Sequence, residues 1–292
     1  MKSYLPDYEF RRPESLDEAL HLLAGEPGQW RPIAGGTDVM VVLNAGFLKG
    51  TRLLDLTRFQ ELKGIQETEG ELRFGGLTSF IEVQECAAVH RHLPNLIKSA
   101  RSTGALAIQN RGTLAGNIAN ASPAADTPPS LLVYGAALDL VSLRGTRRVA
   151  FDRFYLGYKK LELAPDELIQ RIIVPKPCGR GFHFFRKVGT RQSLAITKIS
   201  LAAYCRMEQG AAAEIRIALG SVGPTPLRAS RTEALLRGRG LEALPIREAM
   251  ETLQEDISPM DDIRSTAHYR RVTAGNILGQ MLGELAKAAR PR

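Results

Sequence analysis

Two adjacent glycines in Ile33-Ala34-Gly35-Gly36-Thr37-Asp38 constrain the fold most. They follow a short apolar segment at 30–34 and precede the apolar run 39–45, a pattern that predicts a strand, a tight turn and a helix. Residues 52–56 read as the next strand, so 30–56 forms a small βαβ unit with an expected right-handed crossover. Glycine lets the chain turn at positive φ and brings backbone N–H groups close to an anion, which the start of a helix also favours. A second stretch, Gly112-Thr113-Leu114-Ala115-Gly116-Asn117, has the same character. Each alone also fits an ordinary turn, with Thr37 or Asp38 capping the first helix. Neither the G-x-G-x-x-G fingerprint nor a Walker loop is present. Two such stretches in one chain, with Asp126 supplying an acceptor for hydroxyls, point to a bound dinucleotide.

Capping and periodicity outline the remainder. Ser15-Leu16-Asp17-Glu18 reads as a capping box for a helix over 16–24, and Ser79 with Glu82 as another. Segments 62–67 and 71–75 predict a hairpin, and 96–101 a further helix. The run 113–125 is almost wholly small residues, suited to backbone lying against a ligand. Asp126 is expected to cap a helix that holds Pro128 and Pro129 in its first turn and is closed by Gly135. Strands are expected at 137–143, 147–150 and 167–174, then a boundary at 175–181. Beyond it, 182–188, 195–205 and 214–222 predict a three-stranded antiparallel sheet, followed by helices near 231–237, 245–255 and 263–289. The fold class is α+β, in three parts: a small α/β unit over 1–58, a mixed α+β unit over 59–177, and a sheet with a helical bundle over 178–292.

Composition narrows the chemistry. The net charge is +8, yet the 39 basic residues are dispersed and not interleaved with aromatics, which argues against nucleic acid. A basic surface suits an anionic cofactor, an acidic substrate or an acidic protein partner. The three cysteines, Cys86, Cys178 and Cys205, have no metal-ligand spacing, and the five histidines form no metal pattern. No nucleophile elbow is present, and Asp261-Asp262 reads as a helix-start arrangement and not as a catalytic pair. No catalytic residue and no metal ligand is therefore predicted, and a redox cofactor would supply the chemistry. The first ten residues lack the apolar core of a signal peptide, and no apolar run approaches the ~20 residues of a membrane span, so a soluble cytoplasmic protein is expected.

With these residues in hand, the chain resembles the FAD-binding medium subunit of the molybdenum hydroxylases, over nearly its whole length. The markers are Ala34-Gly35-Gly36-Thr37-Asp38, Leu54-Asp55-Leu56, the Gly112 to Asn117 stretch, and Ala121-Ser122-Pro123-Ala124-Ala125-Asp126. Further on come Asp166-Glu167-Leu168-Ile169, Ile173-Val174-Pro175, Phe185-Arg186-Lys187-Val188-Gly189-Thr190-Arg191 and Asp262-Ile263-Arg264-Ser265-Thr266-Ala267-His268-Tyr269-Arg270. The resemblance implies FAD in the cleft between the first two units. Ile33 to Asp38 and Gly112 to Asn117 would wrap its pyrophosphate through N–H groups, with hydroxyls from Thr37 and Thr113. Asp126 would bond the ribityl region, Ile169 would lie near the isoalloxazine, and Lys187 would approach the flavin from the third unit. Ala115 stands where the family usually has glycine, so the second loop is expected slightly farther from the phosphate or tilted. The resemblance further implies an iron–sulfur small subunit and a molybdopterin-binding large subunit as partners, a dimer of heterotrimers, and an external electron acceptor. Molybdopterin and [2Fe-2S] clusters would sit only on those partners. The alternatives are a self-sufficient flavin oxidoreductase, which needs its own substrate base, and a flavin-free assembly protein of the same fold.

Overall fold

The computed structural model describes residues 7–179, 181–191 and 194–288. Arg180 of the expected boundary and Ala289 of the expected last helix lie outside them. The first unit comprises β1 (Glu9–Arg11), α1 (Leu16–Gly25), β2 (Arg31–Ile33), α2 (Val39–Asn44) and β3 (Arg52–Asp55). Its sheet has the order β1-β3-β2, parallel throughout, so β2, α2 and β3 form the expected βαβ unit. Strand β1 carries no alternating pattern; it is held from outside, by pairing with β3 and by the Arg52–Glu9 ion pair at 2.7 Å. The Ser15 hydroxyl accepts the Glu18 N–H as expected, but the Glu18 carboxylate reaches Glu14 N–H, so that box is not reciprocal. Leu16, Leu20 and Leu23 of α1 bury themselves against Trp30, Leu54 and Leu56.

The second unit contains β4 (Ile65–Glu67), β5 (Glu71–Gly75), α3 (Phe80–Glu85), α4 (Ala87–His92), α5 (Pro94–Ser102), α6 (Leu106–Arg111), α7 (Leu114–Ala119) and α8 (Pro128–Val133). It continues through β6 (Ala137–Ser142), β7 (Gly145–Ala150), β8 (Tyr155–Gly157), β9 (Lys160–Leu161) and β10 (Leu168–Pro175). The main sheet is antiparallel in the order β4-β5-β10-β6-β7, while β8 and β9 make a separate hairpin. Leu72, Phe74, Leu138, Leu140, Ile172 and Val174 join one core with the helices, as a period of two requires for a sheet covered on one face. The run 113–125 is not one open loop: it includes α7, because Leu114 and Ile118 bury against that core and Thr113 caps the turn. Asp126 does not cap α8 either. Thr127 holds that position without a capping bond: Pro129 removes one of the donors a cap would take, and the Thr127 hydroxyl donates instead to Asn117 Oδ1 at 2.6 Å.

The third unit comprises β11 (Gly181–Val188), β12 (Ile199–Glu208), β13 (Ala211–Gly220), β14 (Leu227–Arg228), α9 (Ser230–Leu236), α10 (Ile246–Asp256) and α11 (Ala267–Ala288). Its sheet runs β11-β12-β13-β14, so a two-residue strand extends the three expected ones. Residues 195–198 stay out of β12 and form a loop. Both faces are buried: Leu201, Ala203, Ile215 and Ile217 pack on α9 to α11, whereas Ala202, Tyr204 and Ala218 join the second unit's core. Asp261 accepts the Ala267 N–H at the start of α11, the helix-start role expected of it. Asp262 accepts N–H groups of Arg264, Ser265 and Arg270; burial raises its carboxyl, but these donors outweigh it and bring it to about 2.

His183 lies at the junction of the second and third units, with Nδ1 3.0 Å from the Tyr134 hydroxyl. Burial, then the charge of Lys98, lowers its imidazole from 6.5 to about 4. The unfolded chain therefore binds a proton between those values that the folded chain refuses. His183 costs no stability above pH 6.5, and stability falls as pH drops from 6.5 towards 4. Urea midpoints at pH 7 and pH 4.5 should differ less in His183→Gln than in the wild type; an unchanged difference would remove His183 as the cause.

Candidate functional site

The two glycine stretches touch. A Cβ built on Gly35 would lie 1.7 Å from Arg111 O and 3.0 Å from Gly112 N, so the first turn rests directly on the backbone joining α6 to α7. Gly36 serves differently: it has open space around it but φ +73°, the left-handed region that glycine tolerates best. The first N–H of this turn to bond back into the chain is that of Met40, to Gly36 O. Those of Gly36, Thr37 and Asp38 take no acceptor among the described residues. Asp38 makes no capping bond. The second stretch is wedged against α3 by Phe80 N–H to Gly112 O at 3.1 Å and Leu114 N–H to Thr78 O at 2.9 Å. The Thr113 hydroxyl accepts the Gly116 N–H at 3.0 Å, which fixes the first turn of α7.

These loops form part of a cleft of about 690 Å³ lined by all three units. Twelve of the fourteen expected site residues line it: Ala34, Gly35, Gly36, Thr37, Asp38, Gly112, Thr113, Ala115, Gly116, Asn117, Asp126 and Ile169. Ile33 does not; it ends β2, where its carbonyl accepts Leu56 N–H. Lys187 does not line it either, and stands instead against Asp126. Ala115 is buried with Leu114 and Ile118, so its methyl group is accommodated by the core of the second unit. Thr103, the loop 194–197 and Arg264 also line the cleft and escaped sequence reasoning. For 194–197 the signal was the apolar run itself, which reads as strand until its burial is known. Among the described residues no group of His, Cys, Asp and Glu is arranged to hold a metal ion.

The electrostatics centre on Asp126, which is almost fully buried. Lys187 Nζ lies 2.8 Å from its Oδ2 and also donates to Ser102 O at 2.7 Å. Thr197 Oγ1 donates to its Oδ1 at 2.5 Å. Burial pushes the Asp126 carboxyl above the usual carboxylate range, while Lys187, Thr197 and Thr103 pull the other way. One carboxylate of the second unit is thus held by a cation and a hydroxyl of the third, at the wall of the cleft.

Comparison with known proteins places this geometry in a family. The family described as FAD binding domain in molybdopterin dehydrogenase matches residues 6–177, and the CO dehydrogenase flavoprotein C-terminal domain matches 184–285. The chain is 32% identical over 284 residues to a putative xanthine dehydrogenase FAD-binding subunit of Escherichia coli, covering 96% of each. It superposes on a carbon monoxide dehydrogenase chain from Hydrogenophaga pseudoflava with a TM-score of 0.91 at 28% identity, covering 99% of this chain and 100% of that one. A chain of quinoline 2-oxidoreductase from Pseudomonas putida gives 0.90 at 28% identity, with 98% and 99% covered. With a family match over more than half of its length and a relative this similar from end to end, the chain belongs to the FAD-binding subunits of the molybdenum hydroxylases, as an FAD-dependent oxidoreductase subunit.

Proposed function

We propose that this chain carries electrons between iron–sulfur clusters on a partner subunit and an external acceptor, by way of FAD held in the cleft. The observation that carries this reading is the contact of two glycine turns at a cleft wall, with unbonded N–H groups on the first. A cavity of this volume lies within the ~300–1,000 Å³ typical of cofactor sites, and one at the junction of units is where cofactors commonly bind.

The residues fit the group. Backbone N–H groups at Gly35 to Asp38 and at Ala115 would face the pyrophosphate, where Ala115 keeps its donor although it lacks the family's glycine. The Thr37 and Thr113 hydroxyls would add bonds, and Gly112, Gly116 and Asn117 would complete the second wall. Asp126 would accept from ribityl hydroxyls, and Ile169 would form the apolar surface beside the isoalloxazine, with Ala34 near the turn. FAD takes up two electrons and releases them singly, which couples one-electron clusters to a two-electron acceptor. The chain's part is to bind it, orient it, exclude water along one side and leave an edge open.

The reading extends to an iron–sulfur small subunit and a molybdopterin-binding large subunit as partners, assembled as a dimer of heterotrimers; that a relative is itself an FAD-binding subunit of a dehydrogenase supports its heteromeric part. The units bearing the three sheets are taken as 1–58, 59–177 and 178–292. A cytoplasmic location accords with three cysteines that are all free. Among the described residues no helix is long and apolar enough to cross a membrane. Denatured protein should release FAD, not FMN, at about one per chain. A colourless protein that cannot be reconstituted with FAD would overturn the reading.

A further inference from the structure

We propose that Thr197 and Lys187 are positioning residues of the third unit that preset the Asp126 carboxylate as an acceptor for the hydroxylated chain of the cofactor. This rests on the FAD reading above and goes beyond it, because it assigns Lys187 to Asp126 and not to the flavin, and gives Thr197 a role that its sequence context did not suggest.

The geometry points to this division of labour. Lys187, Ser200 and Gly220 stand opposite one another in the sheet, so Lys187 projects from the face turned towards the second unit. There it meets Asp126 Oδ2 and Ser102 O, and it does not reach the lining of the cleft. Thr197 is buried, lines the cleft, and takes the other carboxylate oxygen. Its own carbonyl accepts the Ser221 hydroxyl at 3.1 Å, and Ser221 N–H donates to Pro123 O at 2.8 Å. The end of β13, the 194–197 loop and the segment before α8 therefore close into a ring of hydrogen bonds around Asp126. An ionised carboxylate has about four acceptor sites. Lys187 and Thr197 occupy two of them, the Thr103 hydroxyl being donated to Ser99 O, and the remaining sites are left for donors in the cleft.

The consequence is electrostatic as well as geometric. Burial alone favours the neutral acid, and a neutral acid must spend its own proton on a hydrogen bond, so it presents fewer lone pairs to a polyol. The ammonium and the hydroxyl oppose that shift and hold the carboxylate's plane fixed. Without Thr197 the carboxyl loses one of the donors that favour ionisation and is free to turn.

The test uses the full chain, its flavin-free form, and FAD as the probe, with affinity measured by fluorescence quenching from pH 6 to pH 9. Thr197→Val keeps the branched shape and removes the donor; Thr197→Ser keeps the donor. Wild type and Thr197→Ser should bind alike at every pH. Thr197→Val should bind about ten-fold to a hundred-fold more weakly, in keeping with loss of a hydrogen bond to a charged group. Its affinity should recover as pH rises and Asp126 ionises. Thermal unfolding of the flavin-free forms separates this from general loosening. If wild type binds FAD and Thr197→Val matches it in affinity and pH profile, the positioning role is wrong. Equal weakening in the valine and serine variants would make the contact one of shape alone and also overturn it. A wild-type chain that binds no FAD would instead overturn the cofactor reading beneath it.

Discussion

Gly35→Ala should yield a protein without flavin and with a lowered unfolding temperature. The added methyl group would stand 1.7 Å from Arg111 O, and that neighbour is backbone, which no rotamer change can move aside. The first glycine turn must then lift from the junction of α6 and α7, which separates the two cleft walls and opens a gap in the packing beneath them. Strain of this kind belongs among the few mechanisms that cost more than about 4 kcal/mol. Gly36→Ala supplies the internal control. Its Cβ would meet nothing nearer than Ile33 Cγ2 at 3.9 Å, so it bears only the left-handed backbone cost of about 1–2 kcal/mol. Flavin content per chain and unfolding temperature, measured side by side, should rank wild type above Gly36→Ala and both far above Gly35→Ala. Full FAD in Gly35→Ala would mean that the two loops do not need their contact.

Lys187→Met should produce the second large effect. It leaves the Asp126 carboxylate buried with no cation, and removing one member of a buried pair costs about 3–5 kcal/mol. Part of that cost is relieved by proton uptake at Asp126, so the loss of stability should be smaller at pH 5 than at pH 8. The sign follows from linkage: a buried acid whose pKa is raised further in the variant gains a proton in the folded state first, and stability then falls as pH rises. Lys187→Met combined with Asp126→Asn should recover much of the stability, since neither charge remains, while FAD affinity stays low. Denaturant unfolding of the flavin-free chains measures the first quantity and FAD titration the second. A double variant no more stable than Lys187→Met would show that the pair does not couple.

Much of the fold was legible because its signals are local. Ser79 and Glu82 form the reciprocal box expected of them, and Gly135 closes α8 at positive φ. Strands formed where expected at 71–75, with Leu72 and Phe74 alternating onto the core, and at 167–174, which is buried along most of its length. The misreadings have non-local causes. Strand β1 exists because β3 offers it an edge, and the segment 194–197 lines the cleft, where Leu194 N–H is held by Gly104 O and Thr197 by Asp126. Asp126 read as a helix cap since it directly precedes Thr127 and two prolines, but its carboxylate is taken by residues 61 and 71 positions away.

By itself the sequence determined that two glycine turns exist, one of them at a strand-to-helix passage, because the demand for positive φ or a missing side chain is written in residue type at the position where it acts. It likewise determined the family, through short motifs kept in order along the whole chain. Only the tertiary structure decided why Gly35 has no tolerable substitute, that Ala115 fits a core, and that Lys187 serves Asp126. Those facts depend on which backbone atoms and charges from distant segments meet within a few ångströms, and no local pattern carries that distance.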